Sequence, residues 1–267
     1  MKAGRAAILA SVFALSISTT AEARPLRIMA LDQCADQYVL QLAPEAELAL
    51  SPRADDPDAW LRTQAAGHRR VRPTLEAAVG FQPDVVVRYW GGEPRLLAAL
   101  EARGVQVVTL TDAVDFDGVR ANIRTVAAAL DRPARGQALT RRMDRTLAQA
   151  AAPSGAPKPA ALYLTSGGFT SGAGSLVDAV IRAAGFANLA SPGFGPVSVE
   201  RIALTPPARF ILGFFDRTRA DWRGPGRHPV VRRAARGRTV ASLPAAVLTC
   251  PAWFAADGVA MLAKARP

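Results

Sequence analysis

Apolar positions along this chain fall into short continuous runs, separated by longer stretches with helical spacing. Arg27 to Leu31 (RIMAL) reads as a strand that ends in the polar turn Asp32-Gln33-Cys34. A helix is predicted after it, with Tyr38, Leu40 and Leu42 on its apolar face, and Leu48 to Leu50 reads as a second strand. The segment Ser51 to Pro73 is rich in Pro, Asp and Arg and reads as irregular, with a short helix around Ala59 to Ala66. Thr74 is a suitable cap for a helix over Leu75 to Val79 that stops before Gln82-Pro83. Asp84 to Val87 is continuous and β-branched, the mark of a strand buried on both faces. A helix over Glu93 to Arg103, a stop at Gly104 and a strand over Val105 to Leu110 complete a strand–helix–strand rhythm that predicts parallel α/β structure.

The rhythm then changes. A long helical pattern runs from about Asp117 to Ala151, interrupted near Asp131-Arg132-Pro133, and is followed by the Pro-rich break Ala152 to Pro159. Alternation resumes with a strand Ala160 to Thr165, a Gly-rich turn and a helix Leu176 to Ala184. A helix around Val199 to Leu204, a strand Phe210 to Gly213 and a last helix near Phe254 to Lys264 follow. The pattern predicts two α/β halves, each with a mainly parallel sheet flanked by helices, separated by a long helix. The expected divisions are 1–23, 24–115, 116–152 and 153–267.

The first 23 residues stand apart. Lys2 and Arg5 precede the mainly apolar run Ala6 to Ile17, and Ala21-Glu22-Ala23 offers small residues where a signal peptidase reads. This reads as a secretory signal peptide, and no later run approaches the roughly 20 apolar residues that span a bilayer. The expectation is a soluble periplasmic protein, monomeric and touching the membrane only through a partner. The formal net charge is +11. Apart from Arg217 to Arg238 the basic residues are scattered, and export argues against a nucleic-acid partner. Arg-rich, Ala-rich composition explains the excess without a function. Two cysteines, Cys34 and Cys250, are a disulfide candidate in an oxidising compartment. Free thiols or soft metal ligands are the alternatives.

Catalytic patterns are missing from the sequence. It contains no G-x-S-x-G elbow, no phosphate loop, no C-x-x-C and no H-E-x-x-H, and no catalytic residue or metal ligand is assigned. Aromatic residues occur instead where a ligand cleft would need them. Tyr89 and Trp90 follow the Asp84–Val87 strand and precede Gly91-Gly92. In open α/β sheets, ligands collect at the carboxyl ends of strands. The same rule points to Asp32 and Gln33 after the first strand and to Phe169 after the Ala160–Thr165 strand. Phe194, Trp253 and Phe254 also fall in predicted loops. A single ring in a loop often caps a core; Tyr89-Trp90 beside two glycines favours a site.

In order and spacing, several segments resemble the periplasmic binding proteins that deliver vitamin B12, ferric siderophores or haem to ABC importers. They are Leu75-Glu76 with Gln82 to Val87, Leu100 to Leu110, Asn122 to Leu139, Phe169 to Gly172 with Ser175, Ala183 to Gly185 with Asn188, and Val197 to Glu200. The resemblance covers essentially the whole chain after residue 23 and implies a class III fold, two lobes joined by one long rigid helix with ligand between them. Similarity is greatest to the vitamin B12-binding branch, over Tyr89 to Gly92, Phe169 to Gly172, Phe194 to Glu200 and Trp253-Phe254. It implies a metal chelate as ligand, a corrinoid first and an iron siderophore or haem second, with no covalently bound cofactor. It also implies that Glu76 and Glu200, one on each lobe, dock on a dimeric permease. A periplasmic enzyme is the reading from another class.

Overall fold

The structure, a computed structural model, describes residues 24–217, 221 and 223–266. The expected signal peptide, 1–23, lies outside the described residues, as do parts of the Arg-dense stretch. Among the described residues no helix is long and apolar enough to cross a membrane.

The first lobe is built from β1 (Arg27–Ala30), α1 (Gln33–Leu42), β2 (Glu47–Leu50), β3 (Arg69–Arg70), α2 (Leu75–Phe81), β4 (Val85–Arg88), α3 (Pro94–Glu101) and β5 (Gln106–Thr109). Its five strands are all parallel, in the order β3-β2-β1-β4-β5. The chain leaves β1 first to one side and later returns to its other side, so the sheet changes direction between β1 and β4. Side chains on alternate positions of these strands feed two apolar layers. Ile28, Val85 and Val87 face α1, while Met29 and Val86 pack with Phe81 of α2 and with Leu96 and Leu100 of α3.

The stretch 116–152 is two helices rather than one. α4 (Phe116–Ala129) and α5 (Pro133–Ala150) meet at a turn where Asp131 adopts φ 54°, and Pro133 starts the second helix. They pack side by side: Arg120 pairs with Asp144 at 2.6 Å, and Gly136 lies against Ala127. α5 is 18 residues long, about 27 Å.

The second lobe contains β6 (Ala160–Thr165), β7 (Phe169–Ser171), α6 (Leu176–Ala183), β8 (Ala187–Asn188), β9 (Phe194–Pro196), α7 (Val199–Leu204) and β10 (Phe210–Gly213). After a 3-10 turn at Pro225–Arg227 come α8 (Pro229–Ala235), β11 (Thr239–Leu243), α9 (Ala245–Leu248) and α10 (Ala255–Lys264). Four parallel strands run in the order β11-β10-β6-β8, and β7 pairs antiparallel with β9 as a separate ribbon. One hydrophobic core is continuous from Val39 and Ile123 in the first half, through Met143 on α5, to Tyr163, Ile181 and Val259 in the second.

Segment 59–66, expected as a helix, is a series of turns. Its backbone is claimed from outside: Leu61 N–H donates to the Gln37 side chain at 2.7 Å and Ala65 C=O accepts from Arg70 at 2.8 Å.

Candidate ligand cleft

The carboxyl ends of both sheets point to the junction of the lobes. The loop after β2 reaches the loop after β10 through Asp58 and Arg217, 3.2 Å apart. The start of α1 reaches the loop before α10 through a disulfide between Cys34 and Cys250, whose Cα atoms are 5.4 Å apart. Tyr38 Oη donates to Pro251 C=O at 2.7 Å, and Trp60 stacks on Phe254 with ring centroids 5.3 Å apart. The loops that follow β1, β4, β6 and β10 border this junction.

On the first lobe, Asp32 organises the crevice where the sheet changes direction. One carboxylate oxygen caps α1, accepting from Cys34 N–H and Ala35 N–H, each at 3.0 Å. The other accepts from the N–H groups of Tyr89 (2.6 Å), Trp90 (3.1 Å) and Gly91 (2.9 Å). A crevice of this kind commonly receives a ligand's anionic group on backbone amides. Here the protein fills it with its own carboxylate, so Asp32 is 1% exposed and its oxygens are occupied. Its work is to present the next loop. Gly91 cannot carry a side chain, because a Cβ would lie 2.3 Å from Leu31 C=O, and Gly92 has φ 85°. Tyr89 then turns inward. Burial and the neighbouring Asp112, which accepts its phenol at 2.8 Å, push the phenol well above its ordinary range. Trp90 turns outward and is 56% exposed. Beside it is a depression of about 400 Å³, lined among others by Leu31, Ser51, Pro52, Arg53, Pro73 and Glu93.

On the second lobe, the β7–β9 ribbon carries Phe169 and Phe194. Their rings stack at 4.9 Å with 12° between planes, and Phe194 is 69% exposed. Gly172 permits the ribbon's tight turn against Ser191, whose C=O would be 2.0 Å from a Cβ. Phe214, at the end of β10, is held at φ 63°, and its C=O accepts from the Ser166 hydroxyl at 3.2 Å. A bulky residue in the left-handed region is strained and persists only when its surroundings fix it.

Of the eight residues expected to meet ligand, the structure places Trp90, Phe169 and Phe194 as exposed rings and Tyr89 partly so. Four belong elsewhere. Asp32 positions a loop. Gln33 is buried and donates to Asp58 at 3.2 Å. Trp253 and Phe254 are 3% and 1% exposed, packed on Tyr38 and Trp60. Sequence reasoning placed these two rings correctly at a loop near the cleft, but a loop that meets the other lobe carries the same aromatic signature as one that meets ligand. The strand-end rule applied to β2 also points to Ser51, Pro52 and Arg53, which line the depression beside Trp90. Sequence reasoning missed the Asp58–Arg217 pair, for which no sequence signal exists.

Glu76 and Glu200 are exposed in the first turns of α2 and α7, one on each lobe. Each helix is capped by the residue two places earlier, Thr74 and Ser198. A hydrogen bond from its own backbone N–H, and then one from Ser198 Oγ at 2.8 Å, keep the Glu200 carboxyl below the ordinary range. Among the described residues no group of three or more His, Cys, Asp or Glu side chains could hold a metal ion.

Each lobe is built on a parallel sheet and carries exposed rings, Trp90 on the first and Phe169 with Phe194 on the second. The periplasmic binding protein family model matches residues 41–213, and the chain belongs to that family, whose members are binding proteins rather than enzymes. A cobalamin-binding protein from Halobacterium salinarum is 27% identical over 183 residues, 67% of this chain and 50% of that protein. The chain thus spans about half the length of the curated relatives it matches. A periplasmic heme-binding protein solved with two hemes is 26% identical, with TM-score 0.67, covering 90% of this chain and 97% of that one. The periplasmic vitamin B12 binding protein of Vibrio cholerae shares the fold at 20% identity, TM-score 0.64, over 90% of this chain and 96% of that one.

Proposed function

We propose that this protein is the periplasmic, substrate-binding component of an ABC importer and carries a metal chelate between its lobes. The supporting observation is the pair of exposed aromatic faces at the carboxyl ends of the two sheets, Trp90 on one lobe and Phe169 with Phe194 on the other. Broad planar or near-planar rings with few polar groups suit such faces, and a corrinoid is the first assignment. The cobalamin-binding relative favours it. Haem is the second, favoured by the heme-binding relative of equal similarity. Asp32 serves the site indirectly by fixing the Trp90 loop. Glu76 and Glu200 are assigned to docking: two carboxylates on separate lobes would pair with cationic clusters on the two halves of a permease and so fix orientation.

The test is a titration of the purified protein with cyanocobalamin, haem and ferric siderophores, followed by tryptophan fluorescence. Saturable quenching by one of them is expected, weakened about tenfold or more by Trp90→Ala, since truncating a tryptophan that anchors an interface commonly costs about 2 kcal/mol or more. Failure of every chelate to bind would overturn the reading.

A further inference from the structure

Among the described residues several side-chain contacts join the lobes, and one differs in kind. The disulfide, the Tyr38–Pro251 hydrogen bond and the Trp60–Phe254 stack are covalent or fully matched. The Asp58–Arg217 pair is not. Asp58 is 4% exposed, and one of its oxygens accepts from Gln33 Nε2 at 3.2 Å. The other makes no aligned hydrogen bond and, among the described residues, is paired with the charge of Arg217 Nη1, 3.2 Å away. The Arg217 side chain is 39% exposed. A buried carboxylate of one lobe therefore relies on a solvent-facing cation of the other. Withdrawing that cation leaves a buried, uncompensated charge, which is strongly unfavourable. Asp58 must then come out to water, so the two events occur together.

The pair is also wired to the disulfide from both sides. Gln33, which holds Asp58, is the neighbour of Cys34. Asp216, the neighbour of Arg217, accepts Ala245 N–H at 3.0 Å and so anchors α9, which leads to Cys250. Cys34 and Cys250 are 2% and 3% exposed. A dissolved reductant reaches the bond only when this junction loosens.

We propose that Asp58 and Arg217 form an electrostatic latch between the lobes, closed over the Cys34–Cys250 bond and released as a unit. The disulfide keeps the lobes from separating, and the ion pair sets how often the junction opens. This holds whichever ligand the cleft takes.

The disulfide itself is the reporter. The oxidised protein is exposed to excess phosphine, which is converted to its oxide as the bond becomes two thiols, and the thiols are counted by alkylation and mass spectrometry. Arg217→Gln is expected to speed thiol appearance about tenfold or more relative to the unaltered protein, and Asp58→Asn to do the same. Arg217→Lys restores part of the protection. Asp56→Asn, which breaks the pair with Arg53 at 2.7 Å inside the same segment, leaves the rate unchanged. Circular dichroism checks that each variant is folded; Arg217→Gln, altered at a partly exposed side chain, carries the test if Asp58→Asn is not. An unchanged rate in folded Arg217→Gln overturns the latch. So does an equal acceleration in Asp56→Asn, which would mark a general loss of stability.

Discussion

Asp36 shows what one buried group does to the pH response. It is 0% exposed on α1 and accepts both the backbone N–H of Ser51 at 2.8 Å and its hydroxyl at 2.6 Å. Burial outweighs these bonds and raises its carboxyl from 3.8 to about 7. The folded protein therefore holds a proton that the unfolded chain releases near pH 4. The resulting stability is full below about pH 4 and is lost as pH rises through about 7, with a slope of at most about 1.4 kcal/mol per unit. Urea unfolding at several pH values should show this decline, and Asp36→Asn should flatten it. An Asp in the first turn of a helix is an ordinary sequence feature. Nothing in the sequence told that Ser51, 15 residues on, would enclose it. The same holds for Asp32: its capping role is visible in the turn after β1, whereas its bonds to residues 89–91 depend on β4 lying beside β1.

Elements were legible where local and tertiary demands agreed. β6 and β10 fall where the apolar runs put them, because each run is flanked by turn residues and largely buried. β11 and α8 were not read, since their apolar positions are diluted by the Arg-dense sequence around them. The α4–α5 pair adds a reversal of a familiar rule. Glycine within a helix usually costs about 0.5–1 kcal/mol against alanine. At Gly136 a Cβ would lie 2.5 Å from Ala127 Cβ, so the two helices touch through its absence. Gly136→Ala should lower stability by about 1–3 kcal/mol despite the better propensity, read as a fall in denaturation midpoint. A rise would show that the helices adjust freely.

At the scale of the molecule, the two-lobe plan was readable because it rests on repetition: parallel strands, short links, then the same again. The orientation of the lobes was not, because it rests on contacts such as Tyr38 with Pro251, 213 residues apart. Docking also belongs at this scale. Glu76 and Glu200 lie on different lobes, on helices that pack in two separate apolar clusters on either side of the core shared by the lobes. Replacing either by Gln should weaken importer-dependent uptake, and replacing both should abolish it, while ligand titration in solution is unchanged. Uptake that survives the double change would remove these carboxylates from the interface.

The disulfide, finally, decides how the molecule bears tension. A load applied outside Cys34 and Cys250 passes through the sulfur bridge, and the 216-residue separation between them is bypassed. Of the regular elements among the described residues, only β1 before the bridge and α10 after it lie in the line of force. Some 700 Å of chain, at roughly 3.3–3.6 Å per residue, stays out of reach of the pull until the bridge is cut.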